Sequence, residues 1–123
     1  MSGASILIID DDQWVAEQHA RVLQKAGYRT TISPHAIAAI SAVDDVHPDA
    51  IVLDVLLTGS TAFTLMHELQ SYGDTGNIPI ILCTNVAADI SLDNVRPYGV
   101  KRLLDKATMA PDDIAVAVRS VLA

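Results

Sequence analysis

Short strand-like runs alternate with segments of helical period along this chain, and that alternation leaves few folds open. The runs are Ser5 to Ile9, Tyr28 to Ser33, Ala50 to Asp54, Ile78 to Cys83 and Val100 to Leu104. Each is too short for a surface helix, and the first, third and fourth are nearly continuous in Ile, Leu, Val and Ala, as strands buried on both faces are. Helical segments are predicted between them, at 12–26, 35–45, from Ser60 or Thr61 to about Tyr72, at 87–96 and at 111–122. Val15, Val22, Leu23 and Ala26 mark the inner face of the first helix, with Asp11 or Asp12 as its N-cap and Gly27 as its stop. Ile37, Ile40 and Val43 point inward on the second, and Ile114, Val118, Val121 and Leu122 on the last. His47-Pro48-Asp49 reads as a turn, Pro97 ends the fourth helix, and Pro111 suits the first turn of the fifth. Five such units predict an α/β fold, a doubly wound five-stranded parallel sheet of order 2-1-3-4-5.

In that order the ligand crevice opens at the carboxyl ends of strands 1 and 3. Strand 1 is followed by Asp10-Asp11-Asp12 and strand 3 ends on Asp54; Thr84 follows strand 4, and Lys106 comes just after strand 5. All four groups therefore meet at one sheet edge. Two carboxylates about 4 Å apart, at an effective dielectric near 20, repel by roughly 4 kcal/mol, which a proton or a cation must relieve. Oxygen donors with net negative charge favour Mg²⁺, and there is no His or Cys cluster to favour zinc. An Asp beside Mg²⁺ is a usable nucleophile toward phosphorus, because the metal cancels its repulsion with phosphoryl oxygens. Lys106 is placed to pair with the new charge and Thr84 to donate a hydrogen bond to it.

Bulk properties narrow the partners. The 123 residues fit one domain, and half of them are hydrophobic, enough for a core at this size. With aromatics at 4%, that core must be aliphatic. A net charge of −7 argues against direct nucleic-acid binding and against an anionic membrane surface. No apolar run approaches membrane-span length, and Met1-Ser2-Gly3-Ala4 lacks the basic region of a secretory signal. The single cysteine, Cys83, lies inside an apolar run and reads as a small buried hydrophobe. Together these features predict a cytoplasmic protein. His19 lies on or beside the inner stripe of the first helix, and Trp14 reads as a surface residue near the rim of the site.

Five ordered motifs resemble the receiver domain of two-component response regulators. They are Ile-Leu-Ile-Ile-Asp-Asp-Asp, Ala-Gly-Tyr, His-Pro-Asp-Ala-Ile-Val-Leu-Asp, Ile-Pro-Ile-Ile-Leu-Cys-Thr and Tyr-Gly-Val-Lys-Arg-Leu-Leu-Asp-Lys. The resemblance spans nearly the whole chain, 1–123, and implies a flavodoxin-like three-layer sandwich. It implies that Asp54 accepts a phosphoryl group from a sensor histidine kinase or a histidine phosphotransfer protein. Asp10, Asp11, Asp54 and the backbone carbonyl of Leu56 would hold Mg²⁺, with Asp11 a direct ligand, while Thr84 and Lys106 contact the phosphoryl group. A homodimer through the fourth helix, strand five and the last helix is a further expectation. The chain is then a signalling domain and not an enzyme.

Several positions depart from the family pattern. Thr58 and Ala62 stand where proline and glycine are usual, and Asn85 where Ala or Gly is. The family's Lys-Pro pair is Lys106-Ala107 here; a cis bond before a non-proline costs about 3 kcal/mol, so a trans bond or a displaced Lys106 is expected. Leu103 replaces the aromatic switch residue, which removes a Tyr or Phe rotamer swing as the output mechanism. Rival readings fit less well. A haloacid-dehalogenase phosphatase needs a second Asp at Leu56, and a flavin carrier would not place three carboxylates after strand 1. A degenerate receiver, acting as a phosphorylation-independent interaction module, is the alternative.

Overall fold

The computed structural model describes residues 3–54, 62–71 and 76–122. Its elements run β1 (Ser5–Ile9), α1 (Gln13–Lys25), β2 (Arg29–Ser33), α2 (Ala36–Val46), β3 (Ala50–Leu53), α3 (Ala62–Gln70), β4 (Ile80–Thr84), α4 (Leu92–Val95), β5 (Val100–Asp105) and α5 (Asp113–Leu122). The five strands form one parallel sheet in the order β2-β1-β3-β4-β5, as the alternation predicts.

Side chains of a strand alternate between the two faces, and here both faces are covered. Leu7, Ile9, Ile51, Leu53, Ile80 and Leu82 pack with Ala39 and Val43 of α2 and Leu65, Met66 and Leu69 of α3. Ile6, Ile8, Ala50, Val52, Ile81 and Cys83 pack with Ala16, Ala20 and Leu23 of α1 and Ile114 and Val118 of α5. This is the three-layer arrangement expected. Full burial of each large aliphatic side chain stabilises the fold by about 1.5–3 kcal/mol, so the aromatic-poor composition is no handicap.

The helix ends show their causes. The Asp12 side chain accepts from the Val15 amide at 3.2 Å and caps α1, while Gly27 at φ +98° turns the chain out of it. His47 ends α2 with left-handed backbone, φ 51°, directly before Pro48.

Strand ends move by one or two residues, so that β4 begins at Ile80 and Thr84 is its last residue, and three larger details differ from the sequence expectations. The buried stripe of α1 is Ala16, His19, Ala20 and Leu23, whereas Val15 and Val22 are half-buried and Ala26 is exposed. Ala26 is the C-cap, where the turn into Gly27 rotates it off the core. The segment 87–96 is not one helix. It is a 3-10 turn at Ala87–Asp89, one turn of α4, and a second 3-10 turn at Arg96–Tyr98. Asp89, Ser91, Asp93 and Asn94 favour caps and turns over helix interiors, and Pro97 denies the helix a donor. Finally, α5 begins at Asp113, because Pro111 and Asp112 belong to a preceding turn in which Asp113 Oδ2 accepts from the Ala110 amide at 2.8 Å. The expected caps at Ser60 or Thr61, the helix end at Tyr72 and the side chain of Ile37 lie outside the described residues.

Candidate functional site

Register brings the carboxylates together. Ile9 pairs with Leu53, so Asp10 and Asp54 are the next residues on adjacent strands, and the Asp54 amide donates to the Ile9 carbonyl at 3.0 Å. On the other side of β3, Thr84 pairs with Asp105, and the Lys106 amide donates to the Thr84 carbonyl at 3.0 Å. That pairing depends on one extra residue in β5 between Val100 and Arg102, which shifts the register.

Asp10 and Asp54 are 3% and 5% exposed, and Thr84 is fully buried; Asp11 is exposed. One carboxylate oxygen from each of Asp10, Asp11 and Asp54 lies within 4.8 Å of the others, close enough to share a cation. Lys106 Nζ donates to Asp10 Oδ2 at 2.6 Å and to Asp54 Oδ2 at 2.9 Å. The Asp12 amide donates to Asp10 Oδ1 at 2.9 Å, fixing that carboxylate. Thr84 Oγ1 accepts from the Val86 amide at 3.4 Å, which orients the hydroxyl toward the loop after β4.

The charges respond to this burial. Desolvation raises the pKa of Asp10, aided by the nearby charge of Asp54 and opposed by the hydrogen bonds from Lys106 and Asp12. Burial also works against the Lys106 ammonium. The hydrogen bonds and charges of Asp10 and Asp54 outweigh it, so the Lys106 pKa is raised and the amine stays charged. The site thus holds one firmly cationic group between two carboxylates that share it.

Asp10, Asp11, Asp54, Thr84 and Lys106 all gather at this edge, as predicted. Leu56, whose carbonyl the resemblance adds, lies outside the described residues. Lys106 reaches the site with a trans Lys106-Ala107 bond, since the described residues contain no cis peptide. Asp105 was not anticipated. Its Oδ1 accepts from the Ala107 amide at 2.9 Å, and its carbonyl accepts from Thr108 and Met109, so it shapes the loop that carries Lys106. An Asp two residues before a chain reversal is the signal that marks it.

The response regulator receiver domain family matches residues 6–119. The chain belongs to that family. Among curated relatives, the transcriptional regulatory protein YvrH of Bacillus subtilis is 37% identical over 90 residues, covering 72% of this chain and 37% of the relative. The phosphate regulon transcriptional regulatory protein PhoB of Pseudomonas aeruginosa is 36% identical over 84 residues, covering 68% and 37%. The chain therefore spans little more than a third of the length of these relatives. Among solved structures, a response regulator of Chloroflexus aurantiacus superposes with a TM-score of 0.85 at 28% identity, covering 98% of each chain. The chemotaxis response regulator CheY4 of Vibrio cholerae does so at 0.85 and 21% identity, covering 98% of this chain and 100% of its own, and bears on the fold alone. Receiver domains are signalling domains of two-component systems whose acidic pocket binds Mg²⁺, and they interact with histidine kinases or phosphotransfer proteins.

Proposed function

We propose that Asp54 accepts a phosphoryl group from a partner histidine kinase or histidine phosphotransfer protein in a Mg²⁺-dependent reaction. The observation that carries this reading is the pairing of Asp54 Oδ2 with Lys106 Nζ at 2.9 Å beside the Asp10–Asp11 oxygens. In the proposed step an Asp54 oxygen forms the new bond to phosphorus while the donor's nitrogen–phosphorus bond breaks. Asp10, Asp11 and Asp54 would hold Mg²⁺, with the Leu56 carbonyl as the ligand that the resemblance adds, and the ion would supply positive charge against the phosphoryl oxygens. Lys106 then shifts its pairing from Asp54 to the new group, and the Thr84 hydroxyl donates a hydrogen bond to a phosphoryl oxygen. The protein contributes position and charge, which is most of what catalyses such transfers. The role is stoichiometric signalling and not turnover.

Intact mass after incubation with Mg²⁺ and a small acyl phosphate tests the proposal. One added phosphoryl group is expected, lost with chelator and in Asp54→Asn. Lack of modification by small donors and kinases alike would establish the degenerate-receiver alternative.

Other parts of the reading follow from surface and charge. The net charge of −7 supports a domain that does not itself hold nucleic acid. Among the described residues no helix is long and apolar enough to cross a membrane, which is compatible with the proposed cytoplasmic setting. The face of α4, β5 and α5 exposes Lys101, Arg102 and Arg119 together with Asp112, so two copies would be complementary there. Arg96 is already engaged by Asp93 at 3.5 Å. A dimer through this face should weaken with salt, and sedimentation of phosphorylated and unphosphorylated protein at low and high salt measures it. A monomer under all four conditions would rule it out.

A further inference from the structure

The turn that carries Lys106 is held by one residue. Asp105 Oδ1 accepts from the Ala107 amide at 2.9 Å, and the Asp105 carbonyl accepts from the Thr108 amide at 3.2 Å and the Met109 amide at 2.9 Å. All three amides that follow Lys106 therefore end on Asp105. Packing offers no substitute, because Ala107 and Thr108 are exposed. Ala107 also lacks the ring with which a proline would restrict the chain. An aspartate that bonds the amide two residues on makes an Asx-turn, which fixes the peptide plane in front of that amide. Here the plane joins Lys106 to Ala107.

That plane sets where the Lys106 side chain starts. The Lys106 amide donates to the Thr84 carbonyl at 3.0 Å, which fixes the backbone before its Cα. The Asp105 carboxylate fixes the backbone after it. From between these two anchors a long, flexible side chain reaches Asp10 Oδ2 at 2.6 Å and Asp54 Oδ2 at 2.9 Å. The ion pairs of the ammonium are with Asp10 and Asp54, so Asp105 acts on it through the backbone and not by charge.

We infer that Asp105 is a positioning residue for phosphoryl transfer, whose side-chain bond to the Ala107 amide aims Lys106 at Asp54. The inference rests on the reading of Asp54 as the acceptor. Lys106 must meet the incoming group as it bonds to Asp54, and a misplacement of about 1 Å can cost such a step about 100-fold. Asparagine can accept the same amide bond, alanine cannot, and glutamate carries its oxygens one methylene too far out.

The full chain and its Asp105→Ala, Asp105→Asn and Asp105→Glu variants are compared with and without Lys106→Met. Intact mass over time gives the rate at which a small acyl phosphate with Mg²⁺ modifies Asp54. Asp105→Ala should slow it at least about tenfold, Asp105→Asn should stay within about twofold of wild type, and Asp105→Glu should be slow despite keeping the charge. In the Lys106→Met background the alanine substitution should cause no further slowing. Urea midpoints without divalent cations give a second readout that needs no phosphorylation. Residues that act through one another are non-additive, so Lys106→Met should lower the midpoint less in Asp105→Ala than in wild type. Asp105 is half-buried and its loss empties no core, and thermal melts confirm that the variants fold. Should Asp105→Ala fail to fold, Asp105→Glu takes its place in both comparisons. A wild type that gains no phosphoryl group would overturn the Asp54 reading, and the urea comparison would then judge Asp105 alone. An unslowed Asp105→Ala, an asparagine variant as slow as alanine, or equal midpoint shifts in the two backgrounds would overturn the inference.

Discussion

Lys106 is the residue on which most depends, because its ammonium neutralises two buried carboxylates at once. Removing one partner of a buried ion pair costs about 3–5 kcal/mol, since the charges left behind are neither solvated nor paired. Lys106→Met should therefore lower stability by about 3 kcal/mol in urea titrations without divalent cations, and Mg²⁺ should recover part of the loss. An unchanged urea midpoint would mean that Asp10 and Asp54 find another neutraliser. His19 gives a pH dependence of definite sign. Its folded pKa lies below the ordinary 6.5, so as pH falls the unfolded chain takes the proton first. Stability rises with pH wherever the unfolded state binds more protons. The contribution of a neutral His19 is thus complete above the unfolded value and erodes below it, down to the folded value. Asp10 runs the other way, because its raised folded pKa makes the folded state take up the proton first. As pH falls through the ordinary histidine range, the wild type should lose more stability than His19→Leu. Parallel stability–pH curves would remove His19 as the cause. At this scale the site was legible because its chemistry follows strand ends: Asp10, Asp54, Thr84 and Lys106 each come after a run of core residues. Asp105 was not, because loop shape leaves no local pattern in the sequence.

Gly99 shows how an element boundary can rest on one backbone angle. It closes the irregular segment containing α4 at φ +92° and delivers the chain into β5. A Cβ there would lie 3.0 Å from Gln70 Nε2 and 3.6 Å from the Ile78 carbonyl oxygen. The glutamine amide can move aside, but the left-handed backbone cannot be avoided, so Gly99→Ala should cost about 1–2 kcal/mol. A thermal melt measures this, and a melting point equal to wild type would show that the turn tolerates another path. The strands were legible from their runs, and α1, α2 and α5 from spacing and caps, because in them periodicity and local propensity agree. The segment 87–96 reads as one helix and is not one, because its apolar spacing and its turn-forming residues point in different directions. There Val95, buried with Ile90 and Leu92 packed beside it, holds the chain against the sheet without a continuous helix.

At the scale of the whole molecule, strand order turns separate sequence motifs into one site. Placing β1 between β2 and β3 sets Asp10 beside Asp54, and placing β4 next sets Thr84 and Lys106 within reach. This was legible because a five-stranded parallel sheet with four crossover connections has few arrangements, and one of them opens a crevice where the carboxylates fall. The same arrangement concentrates charge in a protein that already carries −7. Any cation will therefore stabilise the fold somewhat by screening, whereas a bound ion adds a saturable, site-specific increment. A ligand that binds only the folded state stabilises it by RT ln(1 + [L]/Kd), about 1.4 kcal/mol at ten times Kd. For a domain of this size that is a rise of about 4–7 °C in Tm. MgCl₂ should thus raise Tm above NaCl of matched ionic strength and then saturate. Asp11→Asn should abolish the Mg²⁺-specific part while leaving the NaCl response intact, because Asp11 is exposed and its loss removes a ligand without emptying the core. Equal responses to the two salts in the wild type would mean that the acidic edge is only screened. A Mg²⁺-specific rise that persists in Asp11→Asn would place the ion on Asp10 and Asp54 without it.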